Sequence, residues 1–195
     1  MQFSRLFFAV GLGLVVGGRA AEADELFKFD QARSTISFKV RHMLGSAKGK
    51  FTKFSGTIEI DREHPEKSSV VATIQAASID TANAKRDEHL RTADFFNVRQ
   101  YPEITFKSRR VKPTGANAGE IAGDLTMHGV TRPITLNVQL LGDSQSAAKN
   151  STTRWRVTTS PLKRSDFGIG KGTGGEWMIG DDVAVEIEIE AARAQ

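Results

Sequence analysis

The sequence predicts an all-β protein whose strands run antiparallel and form either a closed barrel or a sandwich. Polar and apolar residues alternate with a period of two in eight separate stretches, which is typical of strands with one buried face. The connections between these stretches are short and rich in glycine and proline, which favours antiparallel neighbours. A closed barrel leaves no open sheet edge, and eight strands enclose just enough room for side chains or one ligand.

The alternation is clear from the first stretch to the last. Ile36, Phe38 and Val40 share one face of the first stretch, and Lys39 and Arg41 lie on the other. The predicted strands cover residues 35–42, 54–61, 70–76, 104–109, 121–128, 134–140, 154–158 and 183–190.

One stretch predicts a short helix, at about residues 83–92. Asn83 can cap it, and good helix formers such as Ala84, Lys85 and Leu90 follow. Turns are expected at 45–49 and at Gly129, where a tight hairpin joins two strands.

The first twenty residues predict a secretory signal peptide. Arg5 precedes the apolar run 6–16, and small residues follow, so cleavage is expected after Ala20 or as late as Ala23. The alternative is an uncleaved anchor, although the run is short for a transmembrane helix. The folded domain is then expected at 24–193, and the protein is expected to be exported.

Composition excludes several classes of protein. The chain of 195 residues suits one domain, and it has no cysteine for a disulfide framework, a thiolate metal site or a cysteine nucleophile. Loss of Arg5 and Arg19 with the signal peptide lowers the formal charge from +4 to +2, which does not argue for nucleic acid. With two Trp and one Tyr, the strands lack the aromatic girdles of an outer-membrane barrel. We therefore expect no membrane insertion after cleavage.

Small residues occupy several positions on the apolar face of the strands: Gly56, Ala72, Ala76, Ser108 and Gly123. They either pack against large neighbours such as Phe106 to fill a core, or leave an internal cavity open. The sequence alone supports both interpretations.

The sequence contains no recognisable catalytic or metal-binding motif. His42, His64, His89 and His128 show no metal-ligand spacing, and no GxSxG motif supplies an activated serine. His42 continues the inward phase of its strand and could hydrogen-bond the polar group of a ligand. Arg86 and His89 share one side of the predicted helix, which could seal one end of the barrel. The stretch 168–175 is too irregular for a phosphate loop and predicts a mobile loop at the mouth.

An ordered series of short motifs resembles the YceI-like family of bacterial periplasmic or secreted lipid-binding proteins. The motifs cover about residues 26–192. They are ISFKVRH (36–42), GKFTKFSG (49–56), SIDT (78–81), RDEHL (86–90), DFF (94–96), YPEITFKS (101–108), GDLTMHGVT (123–131), RSDFGI (164–169) and IGD (179–181).

This resemblance implies an eight-stranded antiparallel, lipocalin-like barrel that binds, stores or transports a long isoprenoid or similar amphiphile. It implies no catalytic residue, no metal and no cofactor, and family members can form homodimers. The alternative is an enzyme that acts on an amphiphilic lipid with a histidine base. Combined with the alternation, the resemblance implies an apolar lumen. Arg86 and His89 are expected near its mouth. The expected lining residues are Ile36, Phe38, Val40, His42, Phe54, Ile58, Ile74, Phe106, Leu125, Leu136, Trp155 and Val185.

Overall fold

The computed structural model describes residues 25–43, 45–144, 151–171 and 179–194. These residues form twelve β-strands and one α-helix, α1 (Ala84–Arg91). The strands are β1 (Glu25–Phe29), β2 (Thr35–His42), β3 (Gly45–Phe51), β4 (Phe54–Ile60), β5 (Ser69–Gln75), β6 (Ile79–Asp80), β7 (Glu103–Gly115), β8 (Ala118–Met127), β9 (Val130–Ser144), β10 (Thr152–Thr159), β11 (Leu162–Lys163) and β12 (Ile179–Arg193).

The strands close into an antiparallel barrel. Its hydrogen-bonded ring runs β1-β4-β5-β7-β8-β9-β10-β12 and returns to β1, where Phe27 is opposite Arg193 and Phe29 is opposite Ala191. The all-β, eight-stranded prediction is therefore confirmed, and the barrel rather than the sandwich is correct. Each predicted strand is found, several of them longer than predicted.

Three neighbouring barrel strands are each interrupted at the same level. β1 continues as β2 after the turn at 31–33, β3 continues as β4, and β5 continues as β6 after the turn at 76–78. The upper segments pair with one another, β12 with β2, β2 with β3 and β3 with β6. The lower segments pair in the same order, β12 with β1, β1 with β4 and β4 with β5.

The two ends of the barrel have different connections. The end that carries the β2–β3 hairpin, α1 and the β8–β9 turn is called the upper end here. The lower end carries the connection 61–68 and the β7–β8 turn at 116–117.

The prediction of a turn at 45–49 is wrong, because these residues belong to β3 and pair with β2. The sequence pattern does not predict this strand because β3 is rich in glycine and lysine, which have low strand propensity. Gly49 is there for packing: a Cβ atom on it would lie 2.4 Å from the ring of Phe38.

Local signals for the helix and the hairpin are both confirmed. The backbone N–H of Arg86 donates to the Asn83 side chain, which caps α1 as predicted. His128 and Gly129 have φ of 53° and 74° in the β8–β9 turn, the conformation of a tight hairpin with positive φ at both central residues.

The glycine-rich loop is described only in part. Gly168 adopts a φ of 70° at the end of the turn 164–167, and Gly170 is buried beside Phe95 and Arg164. These residues are packed at the upper end, so the expectation of a mobile loop does not apply to them. The remainder of the predicted loop, from residue 172 onward, lies outside the described residues.

Candidate functional site

The barrel encloses a cavity of about 850 Å³ with a predominantly apolar wall. All of the predicted lining residues except Phe54 lie on this wall, namely Ile36, Phe38, Val40, His42, Ile58, Ile74, Phe106, Leu125, Leu136, Trp155 and Val185. Arg86 and His89 border it as well. Whether these side chains contact a ligand stays a prediction.

Phe54 lies apart from the cavity wall. It is buried in a cluster with Phe27, Ile36, Ile189 and Ala191, where β1, β4 and β12 pack together. Its backbone N–H donates to Oε1 of Gln31 in the turn between β1 and β2. The side chain therefore has the inward phase that was predicted, but its surface is covered by protein and not by the cavity.

Several residues of the cavity wall were not predicted from the sequence. Phe29 and Phe51 belong to strands that the alternation did not reveal, and Phe95 and Phe96 come from the irregular segment after α1. Val138, Leu140 and Ile187 follow the same inward phase as predicted neighbours, so the period-two pattern could have supplied them.

Some of the small inward residues pack against large neighbours, and others leave cavity space open. A Cβ atom on Gly56 would lie 2.3 Å from the ring of Phe29, and one on Gly123 would lie 2.5 Å from the ring of Phe106. These glycines are therefore covered by aromatic rings. Ala72, in contrast, lies on the cavity wall, where its small side chain leaves space open.

A buried hydrogen-bond network positions Arg86 at the upper end. Thr81 donates to the Asp87 carboxylate through its backbone N–H at 2.9 Å and its hydroxyl at 2.5 Å. Arg86 donates through Nε to Oγ1 of Thr81 at 2.7 Å and through Nη2 to its carbonyl at 2.8 Å. Both Thr81 and Asp87 are 7% exposed, so the network fixes α1 against β6.

The histidines have different surroundings. His89 Nε2 lies 3.2 Å from Oδ2 of Asp94, and both side chains are more than half exposed. His42 is half-buried on the cavity wall, and within the described part of the chain no side chain or backbone group hydrogen-bonds its ring. His128 instead hydrogen-bonds the carbonyl of Phe167 at 2.9 Å.

A second group of contacts supports the wall near β12. Arg164 donates to the carbonyls of Ile169, Ile179 and Gly180. The backbone N–H and the hydroxyl of Ser165 donate to Asp181 at 2.9 and 2.8 Å. Burial acts to raise the pKa of Asp181, but the hydrogen bonds from Ser165 and the nearby cations outweigh it, so this pKa lies below the ordinary 3.8.

Exposed wall residues occur at both ends of the barrel. His89 is exposed at the upper end, which is where the sequence placed the mouth. At the lower end the wall includes the exposed residues Pro65, Pro113 and Asn117. The cavity therefore runs the length of the barrel.

The described residues offer no group of three His, Asp or Glu side chains arranged to hold a metal ion. Among the same residues, no helix has the length and apolar character needed to cross a bilayer.

An eight-stranded antiparallel barrel around an apolar cavity defines the class of lipocalin-like barrels, whose interior has room for one small ligand. Comparison with known proteins narrows this class. The YceI-like domain model matches residues 27–191, so the chain belongs to the YceI-like family.

Relatives and solved structures are similar to this chain in sequence or in fold. A UPF0312 protein of Ectopseudomonas mendocina is 37% identical over 180 residues, which cover 92% of each chain. The crystal structure of Burkholderia cenocepacia BcnA superposes with a TM-score of 0.75 at 28% identity, covering 84% of this chain and 99% of BcnA. A structure described as a polyisoprenoid-binding domain from Saccharophagus degradans has a TM-score of 0.63 at 19% identity, covering 86% of this chain and 98% of that one.

Proposed function

We propose that this protein binds the chain of a polyisoprenoid or similar long amphiphile inside the barrel and carries or stores it without chemical change. The observation that carries the proposal is the continuous apolar cavity of about 850 Å³. Ligand sites commonly have about 300–1,000 Å³ and a mostly apolar wall with a few polar groups. The cavity meets both criteria.

The size of the cavity sets the length of the chain. A water-sized or methylene-sized group occupies about 30 Å³, so the cavity has room for roughly 28 such groups. Each methylene removed from water contributes about 0.8 kcal/mol. A chain of this length therefore binds through apolar burial, with few polar contacts needed.

We propose that the polar end of the amphiphile lies at the upper end of the barrel. His42 has a ring on the wall without a hydrogen-bond partner among the described residues. Arg86 also borders the cavity, where Thr81 holds its guanidinium group. An imidazole and a guanidinium are suited to a hydroxyl or anionic head group. The apolar chain would then extend toward the lower end.

The site of action is proposed to be the periplasm. The support is the N-terminal run 6–16, which has the length and flanking residues of a signal peptide. Residues 1–24 lie outside the described part of the chain.

The proposal is tested by ligand recovery and by a blocked cavity. Organic extraction of the native protein followed by mass spectrometry should recover a long-chain lipid, and a fluorescent polyprenol should bind the extracted protein. Leu136→Trp fills part of the cavity and should weaken polyprenol binding at least tenfold. Gln139→Trp, on the exposed face of the same strand β9, is the matched control and should bind normally. Empty extractions together with no polyprenol uptake would overturn the proposal.

An enzyme with a histidine base is the second candidate, and the contact between His89 and Asp94 is the observation that favours it. A carboxylate next to an imidazole can orient a base. This candidate requires turnover of a lipid substrate that His89→Ala or His42→Ala abolishes while polyprenol binding survives. Absence of turnover in the wild-type protein would exclude it for the substrates tested.

A further inference from the structure

The outer face of the β2–β3 hairpin carries a cluster of four cations, Lys39, Arg41, Lys48 and Lys50, which is called the basic hairpin here. All four side chains are exposed. Lys39 is directly opposite Lys48 in the antiparallel ladder, and Arg41 and Lys50 are one alternation step away on either strand. Opposite side chains have Cβ atoms about 5 Å apart and diagonal neighbours about 7–8 Å, so the four cations form one continuous patch.

Within the described part of the chain, none of these four cations forms an ion pair. Acidic residues flank the patch, since Asp80 is opposite Lys50 and Glu186 is opposite Ser37, but neither lies within ion-pair distance of it. Elsewhere on the barrel surface Arg109, Lys112, Arg154 and Arg156 each reach a carboxylate.

The basic hairpin is not explained by stability. Like charges directly opposite each other on a sheet destabilise it. Lysines on an exposed edge strand prevent aggregation, which accounts for Lys48 on the free upper part of β3. Lys39 and Arg41 lie on β2, which is covered by β12 on one side and by β3 on the other. They have no edge to protect.

An apolar residue stands at the tip of the same hairpin. Met43 is 65% exposed, more than the other exposed large hydrophobic residues of the described chain. The inward side chains of the hairpin, Val40, His42 and Ala47, belong to the cavity wall. The hairpin therefore combines a cationic outer face, an apolar tip and one end of the cavity.

We propose that the basic hairpin docks on an anionic phospholipid bilayer, with Met43 entering the interface and the upper end of the cavity facing the membrane. Cations beside an apolar residue are the features that hold a protein segment at a negatively charged lipid surface. Each cation near such a surface strengthens binding about fivefold. The use of this docking to exchange an amphiphile with the bilayer rests on the proposed function, whereas the docking itself does not.

Flotation of the full chain with lipid vesicles tests the docking. The vesicles are made of phosphatidylglycerol and phosphatidylcholine in equal parts, and pure phosphatidylcholine is the neutral comparison. The wild-type protein should float with the anionic vesicles and not with the neutral ones. Raising the salt concentration to about 1 M shortens the Debye length to about 3 Å and should release it.

Charge-matched variants separate the hairpin from the overall charge. Lys39→Glu with Lys48→Glu should weaken vesicle binding at least about 25-fold, since two cations are lost. Lys67→Glu with Lys107→Glu changes the net charge equally, on exposed residues of the lower end and of β7, and should float like the wild type. Met43→Ser should weaken binding roughly tenfold by removing the apolar tip. Thermal unfolding checks that each variant is folded.

Polyprenol uptake from detergent, measured without vesicles, keeps the two proposals distinguishable. Loss of flotation with normal uptake in Lys39→Glu/Lys48→Glu supports the docking surface. A wild-type protein that does not float, or floats equally with neutral vesicles, overturns it whatever the uptake. Equal loss in both charge variants also overturns it, because net charge would then explain the binding. A dimer in solution that the hairpin substitutions dissociate, with no vesicle binding, assigns the surface to a second copy and overturns it as well.

Discussion

Arg62 and Asp143 form an ion pair across the lower end of the barrel. Arg62 follows β4 and Asp143 lies near the end of β9, and these two strands are four places apart in the ring in either direction. Arg62 Nη1 lies 2.8 Å from Oδ2 of Asp143, while Nε lies 2.8 Å from Oε2 of Glu25. Asp143, followed by Glu25, raises the pKa of Arg62 above its ordinary value, against the effect of burial. The ion pair therefore ties the connection 61–68 across the opening.

Arg62→Met should loosen this connection. The methionine keeps part of the side-chain volume but leaves Glu25 and Asp143 without their shared cation, at a cost of about 1–2 kcal/mol in unfolding free energy. Hydrogen exchange should become faster for the amides of 61–68. Arg33→Met is the control. It removes the ion pair between Arg33 and Glu190, at a more exposed site. Unchanged exchange at 61–68 would contradict the role of Arg62.

Thr81→Val should destabilise the upper end. It removes the hydroxyl that donates to Asp87 and accepts from Arg86, with little change in shape, and leaves a buried carboxylate short of one donor. We expect a loss of about 1–3 kcal/mol in denaturant unfolding. Thr92→Val is the matched control, since the exposed Thr92 hydroxyl bonds only the carbonyl of His89 and water can replace it. Equal losses in the two variants would argue against the buried network.

Substitution by alanine should destabilise the protein at Gly123 but not at Gly142. A Cβ atom on Gly123 would lie 2.5 Å from the backbone carbonyl oxygen of Lys107 and as close to the Phe106 ring, so Gly123→Ala should cost about 1–3 kcal/mol. Gly142 has no atom within 4 Å of the same position. Gly142→Ala should therefore be neutral or slightly stabilising, by up to about 1 kcal/mol. Thermal unfolding of both variants decides the matter, and a neutral Gly123→Ala would show that β7 can move.

The Asp181 carboxylate should make a contribution to stability that depends on pH. Its pKa is lower in the folded protein than in the unfolded chain, so the contribution is present above the ordinary pKa of 3.8 and disappears as the pH falls through the folded value. Asp181→Asn should unfold at lower denaturant than the wild type at neutral pH, and the difference should shrink below about pH 4. Asp182→Asn, on the exposed neighbour, is the control. A difference that stays constant with pH would contradict the assignment.

Polyprenol affinity should depend on chain length up to a limit. Each additional methylene should tighten binding roughly fourfold while it still enters the cavity. Because the cavity holds roughly 28 methylene-sized groups, the increase should end at about five or six isoprene units. Titration with a series of polyprenols measures the limit. Affinity that rises without a plateau would show that the chain is not enclosed.

Local patterns predicted the strands and the helix well where side chains alone determine them. β2 begins and ends where the alternation does, and α1 begins after the predicted cap Asn83. β1 has few residues, and β3 is hidden by glycine and lysine, so neither shows a strand pattern. Phe54 shows the limit of the same method for the cavity. Alternation predicts the inward phase of a side chain, but not whether a protein neighbour or a cavity covers it.

Contacts that depend on closure of the barrel could not be predicted. The ion pair between Arg62 and Asp143 joins residues far apart in sequence whose proximity follows from the order of strands in the ring. The wall residues Phe95 and Phe96 come from a segment without periodicity, so no sequence pattern assigns them to the cavity.

The aligned interruptions divide three neighbouring strands of the barrel wall into lower and upper segments. Ring closure depends on β1, which pairs with β12 and β4 below the break. The upper segments β2, β3 and β6 carry part of the cavity wall and the basic hairpin above it. Substitutions in the upper segments can therefore change the upper part of the cavity wall and the basic hairpin while the pairing of β1 with β12 and β4 keeps the barrel closed.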